Sequence, residues 1–323
     1  MPTATVPEVP RYNLPPTTTC ELDWADLPFV DLSKTQTPEG RIELVKQVQN
    51  ALSTTGFFYV INHGYSAEQV SAINSRTFTP SNNINSQTQR LIDIGDIPFT
   101  QVNDEEKAEY ENKPNEAGTY LGYKPRSYWH IENGVRDQID QYNTYGNVLH
   151  SYPHSEADIE KTKNLWLKGH TDFGSLTMLW SQPVSALQIR SPDGKWRWVK
   201  HVENAVIINA GDWLEVYSAG YYKATIHRVV QPPPDQRQYN RLGLYCFVVP
   251  NDDARLTPNL DAPLLKRIGF NEFYKGEQFV PGPTMKEFRI GRTSTYGQVK
   301  LKKGATEGTE ESVVAGVTVT HYL

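Results

Sequence analysis

The sequence predicts a mainly β protein with a mixed helix-and-strand front. Two observations carry that reading. From about residue 139, short apolar segments recur: "LTMLW", "ALQIR", "KWRWVK", "AVIINA", "DWLEVY", "ATIHRVV" and "RLGLYCFVV". Turn sequences such as "SPDGK", "NAGD" and "SAGYY" separate them. Strands at this spacing build a sandwich, a jelly roll or a barrel. Before residue 139, helical spacing alternates with short strand-like runs. No internal repeat is visible, which argues against a solenoid.

Residues 1–24 are rich in Pro and Thr and read as an extended N-terminal arm without the apolar core of a signal peptide. Residues 25–138 form the mixed α/β part. There "LPFVDLS" reads as a short strand, and residues 41–54 as a helix with Ile42, Val45, Val48 and Leu52 on one face. "GFFYVINHG" reads as a buried strand ending in a turn. "SAEQVSAINSRTF" reads as a second helix, with Ser66 and Gln69 as a capping box. Residues 80–98 are Asn/Gln/Ser-rich and flanked by prolines, and are expected to be an insertion loop. "NDEEKAEYEN" returns to helix, and "GTYLGYKPRSYWHIENG" reads as loop and turn. Residues 139–297 make the β core. Residues 298–323 are expected to be a polar tail, either an edge strand or disordered.

Composition narrows the function. The chain has 323 residues, 38% hydrophobic and 21% charged, with a net charge of -5. No basic block is present, so nucleic acid is not an expected partner. No apolar run approaches the roughly 18 residues of a membrane span, so no membrane partner is expected. The two cysteines, Cys20 and Cys246, do not suggest a disulfide framework, and a reducing cytoplasm fits them. The sequence assigns no oligomeric state.

"GHTDFGSLTMLW" opens with a histidine and, two residues on, an aspartate. Residues i and i+2 of a strand share a face, so His170 and Asp172 are expected to project together with Thr171 turned away. An iron site for oxygen chemistry takes two neutral imidazoles and one carboxylate, with the remaining positions open. HxD alone also fits a solvated pair at a strand end, so a second histidine is required from another strand. His63, His130, His150, His154, His201 and His321 lie in turn, polar, hairpin or tail sequence. His227 sits inside the β segment "ATIHRVV" and is the remaining candidate. Arg241 opens the next strand, where a guanidinium can grip a carboxylate with two parallel bonds.

With these residues the chain resembles the iron(II)/2-oxoglutarate-dependent dioxygenases of the isopenicillin N synthase-like family. The motifs are "HTDFGSLTML", "ALQIRSPDGKWRWV", "AVIINAGDWLEVYSAGYYKATIHRVV" and "RLGLYCFVVP", with "LPFVDLS", "GFFYVINHG" and "GYKPR" at the front. The resemblance implies a double-stranded β-helix, a distorted jelly roll, with flanking helices. It implies that His170, Asp172 and His227 hold Fe(II), and that Arg241 and Tyr152 bind the far carboxylate of 2-oxoglutarate. O2 is then the second co-substrate and ascorbate a useful reductant in vitro. Asn209, Gly211 and Asp212 match the family's string and read as structural. The chain departs from the family at Arg241-Leu242-Gly243, where Arg-x-Ser is usual.

The implied reaction is oxidation of a C–H bond of a small organic molecule in specialised metabolism. Its outcome is hydroxylation, desaturation, cyclisation or ring expansion. Asn143 and Tyr145 share one face just upstream of the ligand strands and are expected to contact substrate; Arg126 lies among nearby aromatics. The missing serine keeps open an iron oxidase that uses no oxo acid. A non-catalytic jelly-roll binding protein and a zinc hydrolase are the readings from other classes.

Overall fold

The computed structural model describes residues 9–64, 85–112, 121–131, 135–143, 147–269, 282–295, 297 and 299–323. The expected helix carrying Ser66 and Gln69 lies outside them, as does Tyr145. Strands β1 (Phe29–Asp31), β2 (Phe57–Ile61), β3 (Gly122–Lys124), β4 (Ile139–Asn143), β5 (Asn147–Ser151), β7 (Leu176–Trp180), β10 (Val206–Ala210) and β12 (Arg241–Val248) form one sheet. Its order is β1-β2-β10-β7-β12-β5-β4-β3. The second sheet comprises β6 (Leu165–His170), β8 (Leu187–Arg190), β9 (Trp196–Trp198), β11 (His227–Val230), β13 (Lys302–Lys303), β14 (Thr309–Val314) and β15 (Val317–Tyr322). Its order is β13-β14-β15-β6-β11-β8-β9. The two sheets close face to face as the distorted jelly roll. Phe57, Tyr59 and Ile207 of the first pack against Leu187 and Ile189 of the second.

Strand alternation sorts the first sheet into an inner and an outer face. The registers Phe57↔Asn209, Asn209↔Thr177 and Tyr245↔Leu179 place Thr177, Asn209 and Tyr245 inside. The registers Arg241↔Ser151 and Gly243↔Leu149 carry Arg241 and Gly243 to the same face, and Ile139↔Ser151 adds Gln141 and Asn143. The outer face is covered by helices. α1 (Pro38–Thr54) starts where the Thr37 hydroxyl accepts from Gly40 N–H and Pro38 presets the first turn. It buries Leu44, Ala51 and Leu52 beside Val48. Ile42 and Val45, expected on the buried face, are instead 61% and 56% exposed. Residues 44, 48, 51 and 52 also have helical spacing, and the sheet selects this stripe.

Three expectations are corrected. Residues 85–98 of the supposed insertion loop lie in α2 (Asn85–Thr100), which seats Ile92 and Phe99 on Tyr123 and Leu242 of the outer face. Its buried stripe also contains Gln89 and Asp93, which bond each other and the Tyr12 backbone of the N-terminal arm. That polar stripe concealed the helix. "DWLEVY" is not a strand but a short helix; α3 (Asp104–Glu109) and α4 (Glu156–Thr162) precede it, and it is α5 (Asp212–Tyr217). A run this short fits either period. The tail is not disordered: of the two alternatives the edge-strand one holds, with β13, β14 and β15 at one end of the second sheet, and it is not polar throughout. β14 and β15 form a hairpin turning through Ala315 and Gly316, both at positive φ, and β15 pairs with β6 through Tyr322↔Gly169. Val314, Val317 and Val319 are buried with Met285 and Phe288. The core is completed by α6 (Pro263–Ile268) and α7 (Met285–Thr295).

Candidate metal centre

β6 and β11 run antiparallel with His227 directly opposite His170, their ring centroids 4.4 Å apart. Asp172 lies just past the end of β6, in the bend rather than on the strand as expected. It still converges with both rings. Its Oδ1 stands 3.6 Å from His227 Nε2 and 3.9 Å from His170 Nε2. Thr171 does turn away: its hydroxyl donates to Asp212. Arg292 of α7 then clamps that bend, bonding Asp212 Oδ2 at 2.7 Å and the Thr171 carbonyl at 2.6 Å.

The hydrogen bonds prepare all three groups as ligands. His170 Nδ1 lies 2.8 Å from the Lys168 carbonyl and His227 Nδ1 lies 3.1 Å from the Thr225 carbonyl. A carbonyl only accepts, so each Nδ1 carries the proton and each Nε2 keeps its lone pair for a metal. Asp172 Oδ2 accepts from Thr177 Oγ1 at 2.6 Å and Asn209 Nδ2 at 2.8 Å, which leaves Oδ1 facing the rings. Burial, then the neighbouring His227 ring, pushes the His170 pKa well below its ordinary value, so this imidazole is neutral. Burial alone would raise the Asp172 carboxyl. A proton on His227 or His170 would lower it, and the Thr177 and Asn209 donors lower it whatever charge the rings carry, so the net shift is downward. The three donor atoms lie within 4.8 Å of one another, the single such His/Cys/Asp/Glu group among the described residues. Donors at about 2.1 Å from one ion stand roughly 3 Å apart, so small ring rotations close the set around a metal. Two neutral nitrogens and one carboxylate on one side suit Fe(II).

Arg241 begins β12 on the inner face and is buried. Its Nε has no hydrogen-bond partner, and no carboxylate among the described residues lies within ion-pair range of it. Burial lowers its pKa to about 10, still charged at neutral pH. A buried cation without a counter-ion is costly, and the carboxylate of an oxo acid would supply the missing partner. The residues present therefore fit both iron and 2-oxoglutarate.

Tyr152 is not brought to this site. Its hydroxyl donates to Asp140 Oδ2 at 3.1 Å, its ring packs edge-on to His150, and the Arg126 guanidinium lies 3.8 Å from its centroid. Asp140 pairs with His150 on the outer face, away from Arg241. The family resemblance puts Tyr152 beside Arg241; the alternation of the strand separates them. Asn143 is buried on the inner face and accepts from Gln141 Nε2, which also bonds the Tyr245 hydroxyl. Three other histidines have structural surroundings: His63 meets the Asn204 carbonyl, His201 meets Ser181, and His154 stacks on Trp166. His150 and His321, expected in irregular sequence, are buried strand residues. Thr177 and Arg292 were not anticipated. The alternation of "LTMLW" was the available signal for Thr177; nothing local announced Arg292.

A jelly roll closing on a His-Asp-His centre defines a class of non-haem iron oxygenases. Residues 142–250 match the 2OG-Fe(II) oxygenase superfamily, and residues 27–78 match the N-terminal region of non-haem dioxygenases in morphine synthesis. Residues 142–250 are thus the part of the chain that is similar to the 2OG-Fe(II) oxygenase superfamily. A 2-oxoglutarate-dependent dioxygenase, citB, of Monascus ruber is 31% identical over 156 residues, 48% of this chain and 43% of that protein. The match thus spans less than half the length of that relative. The 1-aminocyclopropane-1-carboxylate oxidase 3 of Cucumis melo is 25% identical over 72% of this chain and 81% of its own. A full-length Neurospora crassa protein, solved in complex with alpha-KG, shares the fold with a TM-score of 0.60 at 18% identity, covering 88% of this chain and 100% of that one.

Proposed function

We propose that the protein is an Fe(II)- and 2-oxoglutarate-dependent dioxygenase that oxidises a C–H bond of a small organic molecule in specialised metabolism. The observation that carries this is the pairing of a preformed His170–Asp172–His227 ligand set with Arg241, buried and lacking a counter-ion among the described residues, in the same barrel. His170, Asp172 and His227 hold the metal from one side. Thr177 and Asn209 fix the carboxylate oxygen that does not ligate. Arg241 orients the oxo acid through its far carboxylate, and the apolar side chains of Leu179, Leu187 and Ile207 beside it exclude water. When bound, iron with 2-oxoglutarate and O2 supplies a two-electron oxidation, with the oxo acid leaving as succinate and CO2. Asn143 stands on the inner face as a substrate contact, and Tyr145 is proposed to join it. A cytoplasmic setting suits the two free cysteines.

The test is succinate release from 2-oxoglutarate with Fe(II), ascorbate and O2 against a panel of small aromatic and carboxylated compounds. Stimulation by one compound, abolished in Asp172→Ala and absent with Zn(II), is the expected result. A second reading is an iron oxidase of the same fold that uses no oxo acid. Gly243 in place of serine favours it, and a curated relative is a 1-aminocyclopropane-1-carboxylate oxidase. Substrate oxidation with Fe(II) and ascorbate but without 2-oxoglutarate would establish that reading.

A further inference from the structure

We propose that Gln182 takes over the work of the hydroxyl missing at position 243: its side-chain amide donates, beside Arg241, to the far carboxylate of the oxo acid. The inference rests on the 2-oxoglutarate reading and assigns a residue outside the family's Arg-x-Ser pattern.

Three observations converge on this side chain. Gly243 sits one alternation from Arg241 on the inner face of β12, so a side chain there would point the way Arg241 points. A Cβ built on Gly243 would meet Gln182 Nε2 at 3.3 Å, tighter than most real contacts, so the amide nitrogen occupies the space a serine side chain would enter. Among the described residues, Gln182 Nε2 is itself buried without a hydrogen-bond partner, as is Arg241 Nε, and both side chains line one cavity with Leu179, Leu187 and Ile207.

The chemistry favours a shared anionic ligand over simple packing. An amide donor left unsatisfied in the interior carries the full cost of its lost hydration. Two such donors beside one cavity are retained when a ligand satisfies both. A carboxylate offers about four lone-pair positions, enough for the fork of Arg241 and one more N–H. Of the neighbouring polar groups, Ser181 and Gln236 are otherwise engaged, while the Ser151 hydroxyl, opposite Arg241 in register, is buried without a partner among the described residues and stands on the same face. Ser181 Oγ is taken by His201 and the Val202 N–H, and Gln236 bonds the Pro16 and Pro183 carbonyls and the Ser185 N–H. The loss of serine at Gly243 and the presence of glutamine at 182 are then one exchange: a longer arm from the end of β7 replaces a short one from β12.

The test is anaerobic titration of 2-oxoglutarate into the Fe(II)-loaded full chain, read by visible absorbance and by calorimetry. The proteins are wild type, Gln182→Ala, Gln182→Met, Gly243→Ser, the Gln182→Ala/Gly243→Ser double variant and Arg241→Ala. A hydrogen bond to a charged group is worth about a factor of ten or more in affinity. The expected result is roughly ten-fold weaker binding in both Gln182 variants with unchanged Fe(II) affinity. Gly243→Ser alone crowds the amide and also weakens binding. In the Gln182→Ala background the same serine restores it, so its effect reverses sign. Gln182→Met keeps the volume, so weakening there reports the lost donor and not a collapsed cavity. If wild type binds, Arg241→Ala does not, and both Gln182 variants bind as wild type, the assignment of Gln182 is overturned and the 2-oxoglutarate reading stands. If wild type does not bind the oxo acid, the reading and this inference fall together.

Discussion

At the scale of single residues, the centre depends on groups that never touch the metal. Thr177 and Asn209 both spend their donors on Asp172 Oδ2. Without them the carboxylate is free to rotate and its charge is less well compensated. Partners of this kind typically govern metal affinity by about 10–100-fold. Thr177→Val is therefore expected to lower Fe(II) affinity by about ten-fold while leaving the fold intact, as measured by metal titration alongside thermal unfolding. An unchanged affinity would mean Asp172 is positioned by the backbone alone. Thr177 was open to inspection in the sequence, since strand alternation puts it on the face of Asn209. Tyr152 shows the converse: the resemblance that assigns it to the oxo acid does not fix the face of the sheet, and its hydroxyl is held by Asp140.

At the scale of elements, the C-terminal hairpin buttresses the ligand strand. Gly169 precedes the ligand His170, and a Cβ there would lie 2.8 Å from Tyr322 Cβ and 2.9 Å from Trp196 Cη2. Only glycine lets β15 and the Trp196 ring close on β6. Gly169→Val is expected to cost about 3 kcal/mol by overpacking, lowering Tm, and to weaken Fe(II) binding with it. Wild-type stability in that variant would show the hairpin to be loosely held. The hairpin was only partly legible. "VTVTHY" alternates visibly, with Val317, Val319 and His321 inward, but neither its pairing strand nor its Ala-Gly turn was evident from composition. α2 failed the same way: its buried stripe satisfies Gln89 and Asp93 through the N-terminal arm, a contact between segments far apart in sequence. The strands that carry the site were legible because burial on the inner face imposes a period of two.

At the scale of the whole molecule, buried histidines are expected to lower its stability in acid. His321 is pushed down to about 4, first by burial and then by Arg292 and Lys168, against the pull of Asp212. Burial lowers His150 and His154 too. Between a folded value near 4 and an unfolded value of about 6.5, the unfolded chain binds the extra proton. Stability therefore rises with pH across this window: the His321 contribution is full above about 6.5 and is lost as pH falls toward 4. At pH 5 the loss is about 2 kcal/mol. Urea midpoints are expected to fall from pH 7 to pH 5 in the apoprotein, and to fall less in His321→Gln. An equal fall in both would place the acid sensitivity elsewhere.

The central claim is that one barrel holds iron through His170, Asp172 and His227 and an oxo acid through Arg241. Anaerobic Fe(II) titration with and without 2-oxoglutarate, followed by visible absorbance, tests it most directly. The account predicts a weak charge-transfer band that needs both components and disappears in Arg241→Ala at the same oxo-acid concentration, with iron still bound. Iron binding without that band in the wild type would contradict the cosubstrate assignment, and failure to bind iron at all would contradict the centre itself.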